Sequence, residues 1–119
     1  MKMTSERERK NREELFRLIS ENPELPIVPM VYYEVVAGEN LYWLGSWGDV
    51  HIGEYLFGKD EIYFREDDDM YNVEKVIEEF LDDGAFAGMN DEEAKKAYNS
   101  LPWIKAIIVC IDLPEQGEI

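Results

Sequence analysis

The sequence predicts an α+β domain, in which an antiparallel or mixed sheet of about five strands carries its helices mainly on one face. Segments of helix type and strand type follow one another in the order α-ββββ-αα-β. The four consecutive strands have short connections, which indicates an antiparallel meander. A last, nearly unbroken apolar run is typical of a strand buried on both faces, so we expect it in the middle of the sheet.

The first helix is predicted over residues 5–21, where good helix formers follow an N-cap at Ser5 or the residue before it. Two prolines then end the helix, because proline lacks an amide donor and disfavours helical geometry in the preceding residue. A strand rich in valine and tyrosine follows over residues 27–36. Pro29 near its start is tolerated best at a sheet edge or a strand beginning.

Three further strands complete the predicted meander. They cover residues 41–47, 50–57 and 61–65. The first of these alternates large apolar residues at the strand period of two. Gly48 and Asp49 separate the first of these from the second, and Gly48 is expected to serve a bulge, a turn or a close approach of strands. Residues 58–60 mark a turn before the third strand.

Two helices are predicted next, over residues 70–81 and 90–100, from apolar residues at helical spacing. One of the three aspartates at 67–69 caps the helix over residues 70–81, and Asn90 with Glu93 forms a capping box on the helix over residues 90–100. The last strand is predicted over residues 104–111.

The chain has 119 residues, a length that predicts a single domain over residues 1–119. Residues 1–12 are expected to be a solvated, partly frayed helix start, and residues 113–119 a flexible tail. Aromatic residues make up 13% of the chain, so composition favours a folded core over disorder.

Negative charge is concentrated in one segment of the chain. The formal net charge is −15, and residues 60–93 hold 14 acidic and two basic residues, a net of −12. Such a surface disfavours direct binding to nucleic acid or an anionic membrane, which are held by Lys and Arg. We therefore expect a basic partner. A cytoplasmic location is expected on other grounds, because a lone Cys gives no disulfide framework, no signal peptide is visible, and the longest apolar stretch, residues 106–111, is far shorter than the ~20 residues that span a bilayer.

The sequence contains no recognisable motif for most classes of catalytic or metal site. Structural zinc needs about four Cys or His ligands, and the chain offers only His51 and Cys110. Cys110 lies in an apolar run, where a buried, inert thiol is the ordinary case. Glycine-rich phosphate loops are lacking too, so the sequence predicts no cofactor and no enzyme activity.

Three segments of the chain carry a family resemblance. They are E-N-P-E-L-P-I-V-P-M-V (residues 21–31), Y-W-L-G-S-W-G (42–48) and L-P-W-I-K-A-I-I-V-C-I-D-L-P-E (101–115). In these segments the chain resembles small acidic proteins carried by phages, prophages and other mobile elements of Firmicutes. The resemblance implies a protein that blocks a host nucleic-acid-binding protein, and it implies no catalytic residues.

The leading hypothesis is a non-catalytic inhibitor, a DNA mimic or an anti-CRISPR-like protein, whose acids occupy the basic channel of a nucleic-acid-binding protein or RNA-guided nuclease. Its candidate partner-binding residues are Glu66, Asp67, Asp68, Asp69, Glu74, Glu78, Asp82 and Asp83. A solvated acidic face that keeps the protein soluble explains the same charges without a partner.

The alternative hypothesis is an immunity or accessory protein that binds one specific protein through an aromatic patch at Trp43 and Trp47. Core packing is the plain explanation for most of the aromatic residues. A third hypothesis is an enzyme with a novel acidic site or a Ca²⁺ or Mg²⁺ cluster on the aspartates at 67–69, although the sequence lacks the rest of an EF-hand loop. A homodimer, in which the basic residues of the first helix meet an acidic face of a second copy, stays open as well.

Overall fold

A computed structural model describes residues 6–36, 38, 41–82 and 84–114 of the chain. Its helices are α1 (Glu6–Glu21), α2 (Met70–Phe80) and α3 (Asp91–Asn99), and its strands are β1 (Ile27–Val31), β2 (Ser46–Phe57), β3 (Ile62–Phe64) and β4 (Ile104–Asp112). Short 3-10 helices cover Tyr33–Val36 and Phe86–Gly88. The α+β class is confirmed. Among the described residues, no helix is long and apolar enough to cross a membrane.

The sheet is mixed and has the strand order β1-β4-β2-β3. β1 pairs with β4 in parallel, and β2 pairs with β3 antiparallel. The predicted central position of the last strand is confirmed, since β4 lies between β1 and β2. The predicted meander of four strands is wrong, because β1 pairs with the last strand of the chain and not with the next one. The placement of the helices mainly on one face is not confirmed.

Four strands are described instead of about five, and the prediction failed between residues 32 and 49. The strand predicted to reach residue 36 ends at Val31, because Val35 N–H donates to the Tyr32 carbonyl at 2.9 Å and starts a 3-10 turn. The strand predicted over residues 41–47 is absent up to Gly45. Leu41 and Tyr42 are both 89% exposed, so neither of the two alternating faces is buried there.

The strand break predicted at Gly48 and Asp49 is wrong, since β2 runs without interruption from Ser46 to Phe57. Of the three roles expected for Gly48, the close approach is the one observed. Gly48 is buried, and a Cβ atom at this position would collide with the Asp112 carboxylate. The glycine therefore permits a close approach between two chain segments and does not form a turn.

The bounds of the three helices and the caps of α2 and α3 follow the prediction closely, whereas the cap predicted for the first helix at residues 4–5 lies outside the described residues. Asp69 is the N-cap of α2, and its carboxylate accepts hydrogen bonds from the N–H groups of Tyr71 at 3.1 Å and Asn72 at 3.3 Å. On α3, Asn90 and Glu93 form the predicted capping box. Both caps satisfy amide donors that a helix start leaves without partners.

β1 is the edge strand that Pro29 led us to expect. Ile107 N–H donates to the Pro26 carbonyl, and Tyr32 N–H donates to the Ile111 carbonyl, both at 2.9 Å. The backbone N–H and C=O groups of the even-numbered residues in this segment therefore point toward β4. The backbone nitrogen of Pro29 points toward the open edge of the sheet. A proline there costs no ladder hydrogen bond and removes a donor to which another chain would pair.

The chain divides into two compact units, each with its own hydrophobic cluster. Unit 1 comprises Met1–Gly53 and Ala106–Ile119, and unit 2 comprises Glu54–Lys105. The cluster in unit 1 is formed by Leu15, Leu18, Ile107 and Val109. The cluster in unit 2 is formed by Leu56, Tyr63, Val73, Val76, Ile77, Ala94 and Tyr98. The single domain that the chain length predicts stays a prediction.

Tyr98 in α3 joins three parts of unit 2 through a buried hydroxyl. The hydroxyl oxygen accepts hydrogen bonds from Glu66 N–H at 2.6 Å and from Asn72 Nδ2 at 2.9 Å. The second Asn72 donor reaches the Phe64 carbonyl at 2.9 Å. The tyrosine ring packs edge-on against Trp103 at 4.9 Å between centroids. Burial raises the pKa of Tyr98, so the phenol stays protonated at neutral pH.

We expect Tyr98→Phe to lower the free energy of unfolding by about 1–3 kcal/mol, because it leaves the Glu66 N–H and an Asn72 donor without their acceptor. Urea unfolding followed by tryptophan fluorescence measures the change. Tyr71→Phe is the matched control, since it removes a hydroxyl from an exposed side chain on α2. Equal stability of the two variants would contradict the assigned role of the Tyr98 hydroxyl.

Candidate functional site

Seven of the eight predicted acidic site residues lie in one stretch of unit 2, and Asp83 lies outside the described residues. We call these seven residues the acidic surface: Glu66, Asp67, Asp68, Asp69, Glu74, Glu78 and Asp82. Four of them occupy the loop between β3 and α2, two lie on α2, and one follows the helix. All are exposed to solvent except Glu78, which is half-buried.

The loop between β3 and α2 gathers its four acids into one turn. Asp69 N–H donates to the Glu66 carbonyl at 3.1 Å, which closes the turn. Glu66 N–H is bound by the Tyr98 hydroxyl, and the Asp69 carboxylate caps α2. The side chains of Glu66 and Asp68 make no hydrogen bond or ion pair within the described part of the chain. The backbone is therefore fixed, while these two carboxylates remain available to a partner.

Arg65 anchors the start of this loop. Its guanidinium donates to Glu54 Oε2 at 2.9 Å and to Asn99 Oδ1 at 2.6 Å, and it lies 3.4 Å from Asp67 Oδ1. Burial lowers the pKa of Arg65, but the hydrogen bond and charge of Glu54 and the charge of Asp67 outweigh burial and raise it. The cation therefore contacts one carboxylate of the loop, Asp67, and makes no contact with the side chains of Glu66 or Asp68.

α2 presents an outward stripe at the helical spacing i, i+3, i+4 and i+7. Its members are Tyr71, Glu74, Lys75 and Glu78, which line a cleft of about 230 Å³. Glu78 Oε2 accepts a hydrogen bond from Gly84 N–H at 2.7 Å. Glu74 makes no ion pair or hydrogen bond among the residues that the structure describes. This stripe extends the acidic surface along the helix.

Lys75, the basic member of the stripe, is held by residues outside it. Its Nζ atom lies 2.7 Å from Glu61 Oε1 and 5.6 Å from the centroid of the Tyr63 ring. The hydrogen bond with Glu61 raises the pKa of Lys75, and the same bond lowers the pKa of Glu61. Lys75 therefore neutralises Glu61, not Glu74 or Glu78.

The predicted aromatic site, Trp43 and Trp47, belongs to unit 1. The two side chains are 38% and 36% exposed, so each is largely covered. The backbone of Trp47 is tied to α1, since its N–H donates to Glu8 Oε2 at 3.2 Å and its carbonyl accepts from Asn11 Nδ2 at 3.1 Å. Trp47 therefore contributes to the attachment of β2 to α1 as well as to the surface.

The most exposed apolar residues of this region lie beside the predicted aromatic site and were not among its predicted anchors. Leu41 and Tyr42 are 89% exposed and Leu44 is 58% exposed, in a segment that belongs to no strand. The strand prediction concealed them, because a strand would have buried every second side chain. Tyr71, 75% exposed on α2, was missed as well, because a single tyrosine within a run of acids gives no pattern of its own.

Two further kinds of site weighed from the sequence are a metal site at residues 67–69 and a reactive thiol at Cys110. No group of three or more His, Cys, Asp or Glu among the described residues is arranged to hold a metal ion, including the aspartates at 67–69. Cys110 is a free, half-buried cysteine of β4. Burial raises the pKa of its thiol, which disfavours the nucleophilic thiolate at neutral pH.

We expect Lys75→Gln to raise the pKa of Glu61 toward its ordinary value, because the hydrogen bond that stabilises its charged form is lost. A carboxyl ¹³C NMR titration follows this group directly. In the wild type, the lowered pKa means that the pair stabilises the fold above the unfolded pKa of Glu61 and ceases to do so as pH falls. Lys95→Gln, on the exposed side of α3, is the control with the same change in net charge. An unchanged Glu61 titration in the Lys75 variant would contradict the pairing.

Comparison with known proteins assigns no family and no function to this chain. The chain matches no model of a protein family, and no curated protein or solved structure is detectably similar to it. The resemblance to acidic proteins of Firmicutes mobile elements therefore stays a prediction. The function proposed for this chain therefore rests on the surfaces described above, chiefly on the acidic surface of unit 2.

Proposed function

We propose that the protein is a non-catalytic acidic inhibitor that occupies the nucleic-acid-binding surface of a basic host protein, as DNA mimics and anti-CRISPR proteins do. One observation carries the proposal: the acidic surface is held in a defined conformation while, among the described residues, Arg65 and Lys75 pair with one of its seven carboxylates, Asp67. Arg65 also contacts Glu54 and Asn99, and Lys75 contacts Glu61. The outer carboxylates are left to attract a basic partner.

Charge spacing indicates what such a surface imitates. Glu74 and Glu78 are four residues apart on a helix, so about 6 Å of helix axis separates them. Duplex DNA carries one charge per about 1.7 Å of its axis. The helix is thus much more sparsely charged than DNA, and only the turn at residues 66–69 approaches a dense anionic site. The proposed inhibitor would imitate the negative sign of nucleic-acid charge and not its spacing, and the turn at residues 66–69 would carry the highest charge density.

Preorganisation supports the proposal as well. Binding costs free energy when loops and side chains become ordered at the interface. Here the loop is already fixed by the Tyr98 hydroxyl, by Arg65 and by the Asp69 cap. The partner we propose is a basic nucleic-acid-binding protein or RNA-guided nuclease in the cytoplasm, and neither nucleic acid itself nor a membrane.

We expect the combined variant Glu66→Gln, Asp68→Asn and Glu74→Gln to weaken binding to the partner by tenfold or more at low salt. These three carboxylates are exposed and make no described contact, so the fold should be retained. The loss should shrink as salt rises, because screening already weakens the wild-type attraction. A tagged protein recovers the partner from bacterial lysate by stepwise salt elution, and titration with the purified partner gives the affinities.

The matched control is Glu13→Gln, Glu24→Gln and Glu92→Gln, which removes the same charge from exposed positions elsewhere. If net charge alone governs binding, as a purely solubilising face implies, the two triple variants behave alike. Equal affinities would therefore overturn the proposed site.

A second candidate function, an immunity or accessory protein that binds one specific partner, is favoured by the exposed segment at residues 41–44. Leu41 and Tyr42 are more exposed than Trp43 or Trp47, so they are better placed as interface anchors.

Under this second function we expect Tyr42→Ala to weaken capture of a salt-resistant partner by tenfold or more, as aromatic anchors typically do. Trp47→Ala should weaken it too, but with a loss of stability, since Trp47 is largely covered. Tyr33→Ala is the control, because it removes another strongly exposed tyrosine of unit 1. Thermal unfolding of each variant separates the two effects. Undiminished capture by Tyr42→Ala would contradict an anchor in this segment.

A further inference from the structure

The cleft on α2 has a size that limits what it can hold. Its volume is about 230 Å³, below the roughly 300–1,000 Å³ of pockets that bind small molecules. It lies on the outward side of a helix whose opposite side packs into the cluster of unit 2. These dimensions favour a single side chain of a protein partner over a free metabolite.

The walls of the cleft offer acceptors and an aromatic ring. Glu74 is unengaged among the described residues, and Glu78 uses one carboxylate oxygen for Gly84 N–H and keeps Oε1. Tyr71 is 75% exposed beside them. The remaining wall residue, Lys75, is neutralised by Glu61 at 2.7 Å. A cationic side chain is complementary to this lining, whereas an acidic one would be repelled.

Tyr71 gives the cleft a preference between the two basic side chains. A guanidinium is planar, so it stacks on an aromatic ring while its fork of N–H donors reaches carboxylates at the edge. Its bonds to carboxylates are often bidentate. An ammonium is compact and strongly hydrated, and it makes no such stacked arrangement.

We propose that the cleft formed by Tyr71, Glu74 and Glu78 is a docking site for an arginine side chain of the basic partner. This inference rests on the proposed function and adds the residue type that the partner presents. Glu74 and Glu78 supply the acceptors, and Tyr71 discriminates arginine from lysine.

Fluorescently labelled oligo-arginine and oligo-lysine peptides of equal length are the probes, with affinities measured by anisotropy at fixed ionic strength. We expect the wild type to prefer the arginine peptide, and Tyr71→Ala to reduce that preference by about two- to fivefold, the contribution of an exposed cation–π contact. Tyr71→Phe should retain the preference, because the ring is kept. Tyr33→Ala, which removes a similarly exposed tyrosine from unit 1, should leave it unchanged.

The outcomes separate this inference from the proposed function. If both peptides bind the wild type but Tyr71→Ala leaves their affinity ratio unchanged, the arginine site is wrong and the acidic inhibitor stands. An equal loss of affinity for both peptides is such an unchanged ratio. If neither peptide binds the wild type even at low salt, the acidic surface does not attract basic segments, and both proposals fail.

Discussion

The buried hydroxyl of Tyr98 is the interaction on which the arrangement of unit 2 most depends. It accepts from the backbone of Glu66 and from Asn72, and Asn72 also binds the Phe64 carbonyl at the outer edge of β3. One tyrosine on α3 thus fixes the end of the sheet, the acidic loop and the first turn of α2 together. Because buried polar networks are costly when only partly satisfied, these parts are expected to lose their order together.

Charge pairing in unit 2 follows a consistent arrangement around that network. Residues 60–93 contain two bases, Arg65 and Lys75, against 14 acids. Arg65 contacts Glu54 within β2, Lys75 contacts Glu61 directly before β3, and Arg65 additionally reaches Asp67. Neutralisation is therefore concentrated beside the sheet, and the outward side of α2 keeps its negative charge. The electrostatic asymmetry arises from which acids the few cations contact, and not from the acid count alone.

Local signals in the sequence were enough to predict the three helices, the caps of α2 and α3, and the central position of β4. Asp69 and Asn90 cap helices because their short side chains reach nearby N–H groups, an effect that needs no distant partner. Gly48 misled the prediction because its role depends on Asp112, which is 64 positions away along the chain. The acidic candidates could be named from composition, whereas the exposure of Leu41 and Tyr71, and the engagement of Arg65 and Lys75, depend on tertiary contacts that periodicity does not encode.

A face that serves only solubility has no need of a fixed backbone, and like charges held close together are destabilising. Separating the four acids at residues 66–69 along an extended, mobile loop would lower their mutual repulsion. The structure instead closes them into a turn, with Arg65 paired to Asp67 and the Tyr98 hydroxyl bound to the Glu66 N–H. Stabilisation from that network offsets the repulsion and keeps the carboxylates in one place. Asp69 gains the cap of α2 from this arrangement and Asp67 its pairing with Arg65, while the fixed positions of Glu66 and Asp68 would lower the ordering cost of binding a basic partner.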